Sequence, residues 1–368
     1  MKKRYIVFIT ILVLILLLLS TLFMSFSFGS KESKIDYSHV MRDSITNKSA
    51  LVTDIAMLGA HDAFSSGINM KSGVNSNESG IQTNKFVGMF AKGLIVRMSK
   101  SQIADAKTLL KAGVRYFDMR CTKLDNKYYA THGYLSNEIK EYINDIVDFL
   151  GEADGEFIVL DIQHFYTENG ANNALDKSEY ETLLNYLNEY KNAKGFGILD
   201  YVRYDSTTDT LATLTYEKVV GDSSGIIILA KTNELKSCYY RDSNALKDGG
   251  NYTSIRSYWH QTNKTKDLLS GMDSEASLVK EKGYDGIFVV NQAQKTGFIM
   301  NASIMRSLFS WSIIDMANNF NKNLVSDKER FMNWLDSMPI LMVDFTTSTK
   351  GDFNNLANKY IMEKNKSL

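Results

Sequence analysis

Residues 101–120 read SQIADAKTLLKAGVRYFDMR and combine a helix pattern with a strand pattern that follows it directly. Ser101 is a candidate helix cap, good helix formers follow it, and Gly113 is a typical helix stop. The mainly apolar run 114–119 then has the length of a buried strand. This stretch predicts one helix-to-strand unit whose strand ends directly before Arg120.

The same kind of short, apolar run recurs along the chain, and a second amphipathic helix pattern covers residues 136–150. Continuous apolar runs are typical of strands buried on both faces, as in parallel sheets. Helix and strand patterns alternate over roughly 300 residues, which predicts an α/β fold, an irregular or incomplete (β/α)8 barrel of the TIM type. No GxGxxG follows a predicted strand, so a dinucleotide site has no support. The predicted strands are 54–58, 114–119, 157–162, 225–230, 286–290 and 340–345.

The N-terminus combines a basic start at residues 1–4, MKKR, with an uncharged apolar run at residues 5–28. At about 1.5 Å per helical residue, this run can cross a hydrocarbon layer of about 30 Å. The basic start favours the cytoplasm, which predicts a single-pass anchor in the cell membrane with the folded domain outside. A cleaved signal peptide with a secreted product is the alternative, although its apolar region usually has only about 7 to 15 residues.

Residues 29–50 are polar and are predicted to form a linker, residues 51–350 one folded domain, and residues 351–368 a helical tail.

The 42 basic and 42 acidic side chains give a net charge of zero, so a non-specific nucleic-acid binder is a poor interpretation. The two cysteines, Cys121 and Cys238, allow either one disulfide or two buried thiols. No C-x-x-C or H-E-x-x-H spacing supports a zinc site.

Polar side chains stand where the predicted strands end, and catalytic side chains of parallel barrels gather at those ends. Two histidines, an arginine and carboxylates suit phosphoryl transfer without a metal. One imidazole removes a proton and the other donates one, while arginine binds the phosphate oxygens and carboxylates orient the rings. Structural roles are the alternative, such as a turn cap at Asp62 or an ion pair between Arg120 and Asp118. The candidate residues are His61, Asp62, Asp118, Arg120, His132 and Asp344.

Five ordered stretches resemble the X-domain of phosphatidylinositol-specific phospholipase C (PI-PLC) in its bacterial form. The resemblance covers roughly residues 51–350 and is strongest up to Gln163. It implies a catalytic barrel that acts as a phosphatidylinositol diacylglycerol-lyase. The stretches are MLGAHDAFSS (57–66), SQIADAKTLLKAGVRYFDMR (101–120), THGYL (131–135), GEFIVLDIQ (155–163) and PILMVDF (339–345).

The resemblance implies a role for each of five side chains. His61 would be the general base for the inositol 2-hydroxyl, and His132 the general acid for the diacylglycerol oxygen. Asp62 would support the acid step, Asp344 would orient His61, and Arg120 would bind the phosphate. The products would be diacylglycerol and inositol 1,2-cyclic phosphate.

The positions that would bind the head group match the family less well. Gln163 stands where secreted bacterial relatives carry a lysine, and Lys231 lies close to a basic inositol contact. Trp259 corresponds only loosely to a residue that cradles the ring. Head-group identity is therefore the weakest part of the resemblance.

Arg120 also indicates whether the site binds a calcium ion. Animal members of the family carry calcium ligands around these strands, and an arginine and a hard cation would repel each other there. The sequence therefore predicts calcium independence, with no metal or other cofactor, and a phospholipid membrane bearing inositol lipids as the partner. Two alternatives stay open: a different barrel phosphodiesterase resembling glycerophosphodiesterases or sphingomyelinase D, or a non-catalytic lipid- or glycan-binding surface protein.

Overall fold

A computed structural model describes residues 9–14, 36–78, 92–93, 96–168, 170–171, 175–230, 239–240, 254–296 and 313–368. Within them, one sheet contains the following strands: β1 (Met57–Ala60), β2 (Val114–Leu124), β3 (Lys127–His132), β4 (Tyr134–Glu138), β5 (Phe157–Thr167), β6 (Gly170–Ala171), β7 (Gly225–Ala230), β8 (Tyr239–Tyr240), β9 (Ile255–Tyr258), β10 (Phe288–Gln292) and β11 (Ile340–Val343).

Eight of these strands are parallel to their neighbours and follow the order β8-β7-β5-β2-β1-β11-β10-β9. This order repeats the chain order around a curled sheet, as in a TIM barrel. Among the described residues, no backbone pairing joins β8 to β9, so the curl is open at that point. The predicted α/β class and barrel-like architecture are confirmed.

The helices connect successive parallel strands, and the last one follows β11. They are α1 (Ala106–Lys111), α2 (Ile139–Glu152), α3 (Lys177–Leu187), α4 (Tyr216–Val220), α5 (Thr265–Lys282), α6 (Ile313–Leu324), α7 (Lys328–Ser337) and α8 (Phe353–Lys366). Short 3-10 helices occupy Ser65–Gly67, Ile198–Tyr201 and Lys350–Asp352.

Two apolar layers bury both faces of the strands. In β5, Phe157 and Val159 belong to the inner cluster, whereas Ile158 and Leu160 pack in the outer cluster with the helices. Successive side chains of a strand point to opposite faces, so a strand buried on both sides needs an apolar residue at every position. This requirement explains why the strand sequences are continuous apolar runs.

The segment from residue 36 onward closes the sheet at the N-terminal ends of its strands. Tyr37, Val40 and Met41 belong to the inner cluster. Beside them, Arg115 Nε lies 2.7 Å from Glu156 Oε2 in a fully buried ion pair, and Glu156 also accepts hydrogen bonds from two backbone N–H groups of the segment. Tyr37, Val40 and Met41 fall within the predicted linker 29–50, but in the structure they pack in the core of the domain.

The first strand begins later than the predicted range 54–58. The backbone N–H of Ala56 donates to Asn365 Oδ1 at 2.8 Å, and the Asn365 amide donates back to Ala56 O at 3.0 Å. A side chain of α8 therefore takes the hydrogen bonds that a strand would otherwise use, and β1 starts at Met57. The strand also ends later than predicted, at Ala60, directly before His61.

Only residues 9–14 of the predicted membrane segment 5–28 are described, and they are helical. Among the described parts of the chain, no helix combines the length and apolar character needed to cross a bilayer. Cys121 is a buried free thiol, and burial raises the pKa of its side chain. Cys238 and Lys231 lie outside the described residues.

Candidate active site

Two neighbouring strand ends bring His61 and Asp344 together. Ala60 and Val343 are paired in the parallel ladder between β1 and β11, so the residues that follow them emerge side by side. Gln102 fixes this edge: its amide group donates to His61 O at 3.1 Å and to Val343 O at 2.9 Å. Since these bonds join both strand ends, the two side chains are held in one relative position.

The chain turns sharply after each of these strands. Asp62 has a φ of 42° and Phe345 a φ of 51°, both in the left-handed region that non-glycine residues rarely adopt. Such strained positions persist where surrounding contacts fix them, and they cluster at functional sites. Here they direct the side chains of His61 and Asp344 toward the same space.

Arg120 and His132 come from the hairpin formed by β2 and β3. The pairing of β2 with β5 shifts register between Met119 and Arg120, an irregularity that changes the direction of the following side chain. His132 is the last residue of β3, which is antiparallel to β2 and is an addition to the parallel sheet. The strand-end rule for parallel barrels therefore does not cover His132, although the hairpin delivers it to the same edge.

His61 contacts a carboxylate on one side of its ring and a guanidinium on the other. Its Nδ1 lies 2.7 Å from Asp344 Oδ1, and its Nε2 lies 3.0 Å from Arg120 Nη2. Burial opposes the charged ring, but the carboxylates of Asp62 and Asp344 outweigh burial and raise the pKa of His61 to about 9. In the neutral tautomer, Nδ1–H donates to Asp344, and Nε2 accepts a hydrogen bond from Arg120.

His132 is held through its Nδ1 atom. This nitrogen lies 3.0 Å from Asp62 Oδ2 and 3.1 Å from the carbonyl oxygen of Ser99. Two acceptors at one nitrogen place a proton on Nδ1, which leaves Nε2 as the atom available for proton transfer. The centroids of the His61 and His132 rings are 6.3 Å apart, so one small group can contact both.

Asp62 links the second histidine to the arginine. Its Oδ1 lies 2.5 Å from Arg120 Nε, and its Oδ2 accepts a hydrogen bond from Ser101 Oγ at 3.0 Å. Burial raises the pKa of this carboxyl, but Arg120, His132 and His61 outweigh burial and lower the pKa below its usual value. Asp62 is therefore a carboxylate at neutral pH and can stabilise a positive charge on either partner.

These side chains open into a cavity of about 500 Å³, a size typical of small-molecule sites. Its catalytic wall consists of His61, Arg120, His132 and Asp344. Its polar wall consists of Gln163, His164, Ser257, Gln292, Gln294, Lys295 and Thr296, and Met98, Trp259 and Ile313 complete the lining. The cavity therefore joins titratable side chains to polar side chains that can form hydrogen bonds with a ligand.

A cation is the alternative occupant of part of this site. Atoms of His61, Asp62 and Asp118 lie within 4.8 Å of one another and form a possible metal-binding group among the described residues. However, Arg120 already meets these carboxylates, with Nε 2.5 Å from Asp62 Oδ1 and Nη2 3.5 Å from Asp118 Oδ2. A hard cation there would face the guanidinium charge at short range. The side chains fit arginine better than a metal ion.

The structure brings together all six candidate residues: His61, Asp62, Asp118, Arg120, His132 and Asp344. Gln163 and Trp259 line the same cavity, whereas Lys231 lies outside the described residues. One interpretation was wrong: Ser101 does not cap α1, because Asp105 accepts from Thr108 N at 2.8 Å and holds that position. Ser101 instead donates to Asp62, a contact that its sequence neighbours do not indicate.

Known proteins resemble this chain in sequence and in fold, although no family model matches it. PI-PLC X domain-containing protein 3 of Bos taurus is 32% identical over 174 residues, which cover 45% of this chain and 51% of the relative. The variant-surface-glycoprotein phospholipase C of Trypanosoma brucei brucei is 33% identical over 152 residues, 38% of this chain and 42% of the relative. The chain thus spans about half the length of the curated relatives it matches.

Two solved structures share the fold. A phosphatidylinositol-specific phospholipase C of Staphylococcus aureus has a TM-score of 0.61 at 17% identity, over 89% of this chain and 97% of its own. The enzyme of the same name from Listeria monocytogenes has a TM-score of 0.53 at 17% identity, over 90% of this chain and 99% of its own. The resemblance to PI-PLC X-domain proteins is confirmed, but the relatives matched by sequence do not confirm its bacterial form.

Proposed function

We propose that the protein is a metal-independent phosphodiesterase that cleaves phosphatidylinositol-type lipids into diacylglycerol and inositol 1,2-cyclic phosphate. The observation that carries the proposal is the convergence of His61, His132 and Arg120 on one cavity. The names of the sequence relatives and of the structural neighbours support the substrate class.

The first half of the reaction uses His61. A phosphodiester anion attracts the Arg120 guanidinium, which then no longer occupies Nε2 of His61. The freed nitrogen removes the proton of the inositol 2-hydroxyl while that oxygen forms a bond to the neighbouring phosphorus. Asp344, 2.7 Å from Nδ1, stabilises the imidazolium that results.

The second half uses His132. Its protonated Nε2 donates to the diacylglycerol oxygen as the bond from phosphorus to that oxygen breaks. Asp62 and the Ser99 carbonyl hold the opposite nitrogen and fix the orientation of the ring for the transfer. Arg120 stabilises the charge on the non-bridging oxygens. The two histidines exchange protonation states, and solvent restores them.

The cellular setting is part of the same proposal. The apolar run at residues 5–28 would anchor the chain with its domain outside the cell, or would direct its secretion after cleavage. An anchor would raise the local concentration of the enzyme at a lipid surface.

Product analysis tests the proposed reaction. We expect the chain of residues 1–368, mixed with phosphatidylinositol vesicles in EDTA, to release a cyclic phosphate that phosphorus NMR resolves from the lipid phosphodiester. The His61→Ala variant provides the blank. Absence of cyclic phosphate at every pH from about 5 to about 9 would contradict the substrate assignment, because this range spans both forms of an imidazole base.

A second candidate is a barrel phosphodiesterase that depends on a metal. The proximity of donors from His61, Asp62 and Asp118 favours it. Under that alternative EDTA abolishes turnover and a divalent cation restores it, whereas the proposed mechanism predicts the same rate in both conditions.

The pH profile tests the base role of His61. The ring must be neutral to accept a proton, so kcat/KM should rise with pH toward the His61 pKa of about 9. The Asp344→Asn variant removes a negative charge 2.7 Å from Nδ1, which lowers the pKa of His61 and should move the rising limb by about 1 pH unit or more toward acid. Asp336→Asn, at the end of α7, is the matched control and should leave the profile unchanged. If the rising limb of the pH profile lies at the same pH in Asp344→Asn as in the wild type, His61 is not the base.

A further inference from the structure

The turn that carries His132 is not part of the parallel barrel. β3 and β4 lie outside the parallel order of the sheet, and His132 and Tyr134 pair across the turn between them, with Gly133 at its tip. Gly133 has a φ of 71°, in the left-handed region that favours glycine. The parallel ladder therefore does not fix the position of His132, and other contacts have to do so.

Residues 69–78, here termed the strap, supply such contacts. Val74 forms an antiparallel bridge with Tyr134 of β4. Further along the strap, the amide nitrogen of Asn77 donates to Thr122 Oγ1 of β2 at 3.0 Å. The strap is therefore bound to two strands of the hairpin that presents the second histidine.

The strap binds both backbone polar groups of Gly133. The backbone N–H of Asn75 donates to Gly133 O at 3.0 Å, and the backbone N–H of Gly133 donates to Glu78 Oε2 at 2.6 Å. Thr131 Oγ1 donates to the same carboxylate oxygen at 3.5 Å. Hydrogen bonds to a carboxylate are shorter and stronger than those to a neutral acceptor. Glu78 therefore contacts the chain on both sides of His132.

The Glu78 carboxylate also interacts with the charges of the site. Burial opposes the charge of Arg120, but nearby groups outweigh burial and raise the pKa of its guanidinium. Asp62 has the largest of these effects, and Glu78 contributes to them. The Glu78 side chain is half-buried, and none of the described residues that line the cavity belongs to the strap. Glu78 can therefore act on the reaction only through other side chains.

We propose that Glu78 is a positioning residue for the acid step, which holds the turn at Gly133 so that His132 Nε2 faces the leaving oxygen. A displacement of about 1 Å at a catalytic group can lower a rate by about 10²-fold, so a hydrogen bond beside His132 affects kcat. Since the strap does not line the cavity among the described residues, KM should change little. This inference rests on the proposed function, because that function makes His132 the acid.

Two substrates that differ in their leaving group test this role. Glu78→Met keeps the approximate length of the side chain and removes the acceptor. We expect kcat on phosphatidylinositol to fall about tenfold, with KM changed by less than about twofold. On the 4-nitrophenyl ester of inositol 1-phosphate, kcat should fall by less than about twofold, because an acidic phenol leaves with little help from a general acid. Equal losses on both substrates would indicate a merely structural role and would overturn the proposal.

Two further variants control for the loss of charge and for the substitution itself. Glu78→Gln keeps an acceptor oxygen for the Gly133 N–H and should keep kcat on phosphatidylinositol within about threefold of the wild type, since a neutral acceptor forms a weaker bond. Glu181→Met, at an exposed position on α3, should leave both rates within about twofold. If Glu78→Gln is as slow as Glu78→Met, the hydrogen bond to Gly133 does not hold the turn and the proposal fails.

NMR spectra of the histidine rings separate the position of His132 from the reaction. The chain has five histidines, and His132→Ala identifies the signals of this ring. Glu78→Met should shift or broaden the His132 signals and leave those of His39 unchanged. If it does so while no inositol lipid is cleaved by the wild type, the proposed reaction fails and the positioning role stands. If lipids are cleaved but Glu78→Met changes neither the His132 signals nor kcat, the positioning role fails.

Discussion

Replacing either His61 or His132 by alanine should lower kcat on phosphatidylinositol by about 10³-fold, because each substitution removes one of the two proton transfers. The double variant should lose little beyond the single variants, since groups that act in one concerted step are not additive. Release of cyclic phosphate measures the rate, and thermal unfolding shows that each variant is folded. His39→Ala, outside the cavity, is the control and should stay within about twofold of the wild type.

Two results would contradict this prediction. Losses that multiply in the double variant would mean that the two rings act in independent steps. A wild type without turnover, whose lipid binding survives both substitutions, would favour the non-catalytic lipid- or glycan-binding protein.

Replacing Arg120 by lysine should lower kcat by about 10² to 10³-fold, although the charge is kept. The guanidinium contacts Asp62 through Nε and His61 through Nη2, and a single ammonium group cannot reproduce both contacts with the geometry of a planar fork. The effect should appear mainly in kcat, because the non-bridging oxygens gain charge in the transition state. Steady-state kinetics on phosphatidylinositol vesicles separate kcat from KM.

An exposed arginine provides the control for the same substitution. Arg42 lies on the outside of the domain with 41% of its side chain exposed, and Arg42→Lys should have no measurable effect on kcat. A loss of less than about fivefold in Arg120→Lys would show that positive charge alone is sufficient and that the fork has no catalytic role.

The sequence predicted the parts of the fold that local patterns determine. β7 has the predicted bounds, Gly225–Ala230, because every residue of this strand is buried and apolar. The positions of His61 and Asp344 followed from the rule that side chains at the ends of parallel strands meet. The predicted strand 114–119 was too short: β2 continues to Leu124, and Arg120 lies within it. Site residues of this kind can be predicted from sequence, because each polar residue directly follows an apolar run.

Other features depend on contacts between residues distant in sequence. Asn365 sets the start of β1 from 309 positions away, and Gln102 joins the ends of β1 and β11 across 241 positions. Ser101 has the sequence position of a helix cap, but its hydrogen bond to Asp62 joins residues that meet only in the folded chain.

Locating bound phosphate is the most direct test of the arrangement at the catalytic wall. A crystal structure of the protein with inositol 1-phosphate should place the phosphate oxygens within hydrogen-bond distance of Arg120 and the inositol 2-hydroxyl beside Nε2 of His61, with His132 on the opposite side of the phosphorus. Phosphate bound away from Arg120, or a divalent cation held between Asp62 and Asp118 with the guanidinium displaced, would contradict the account.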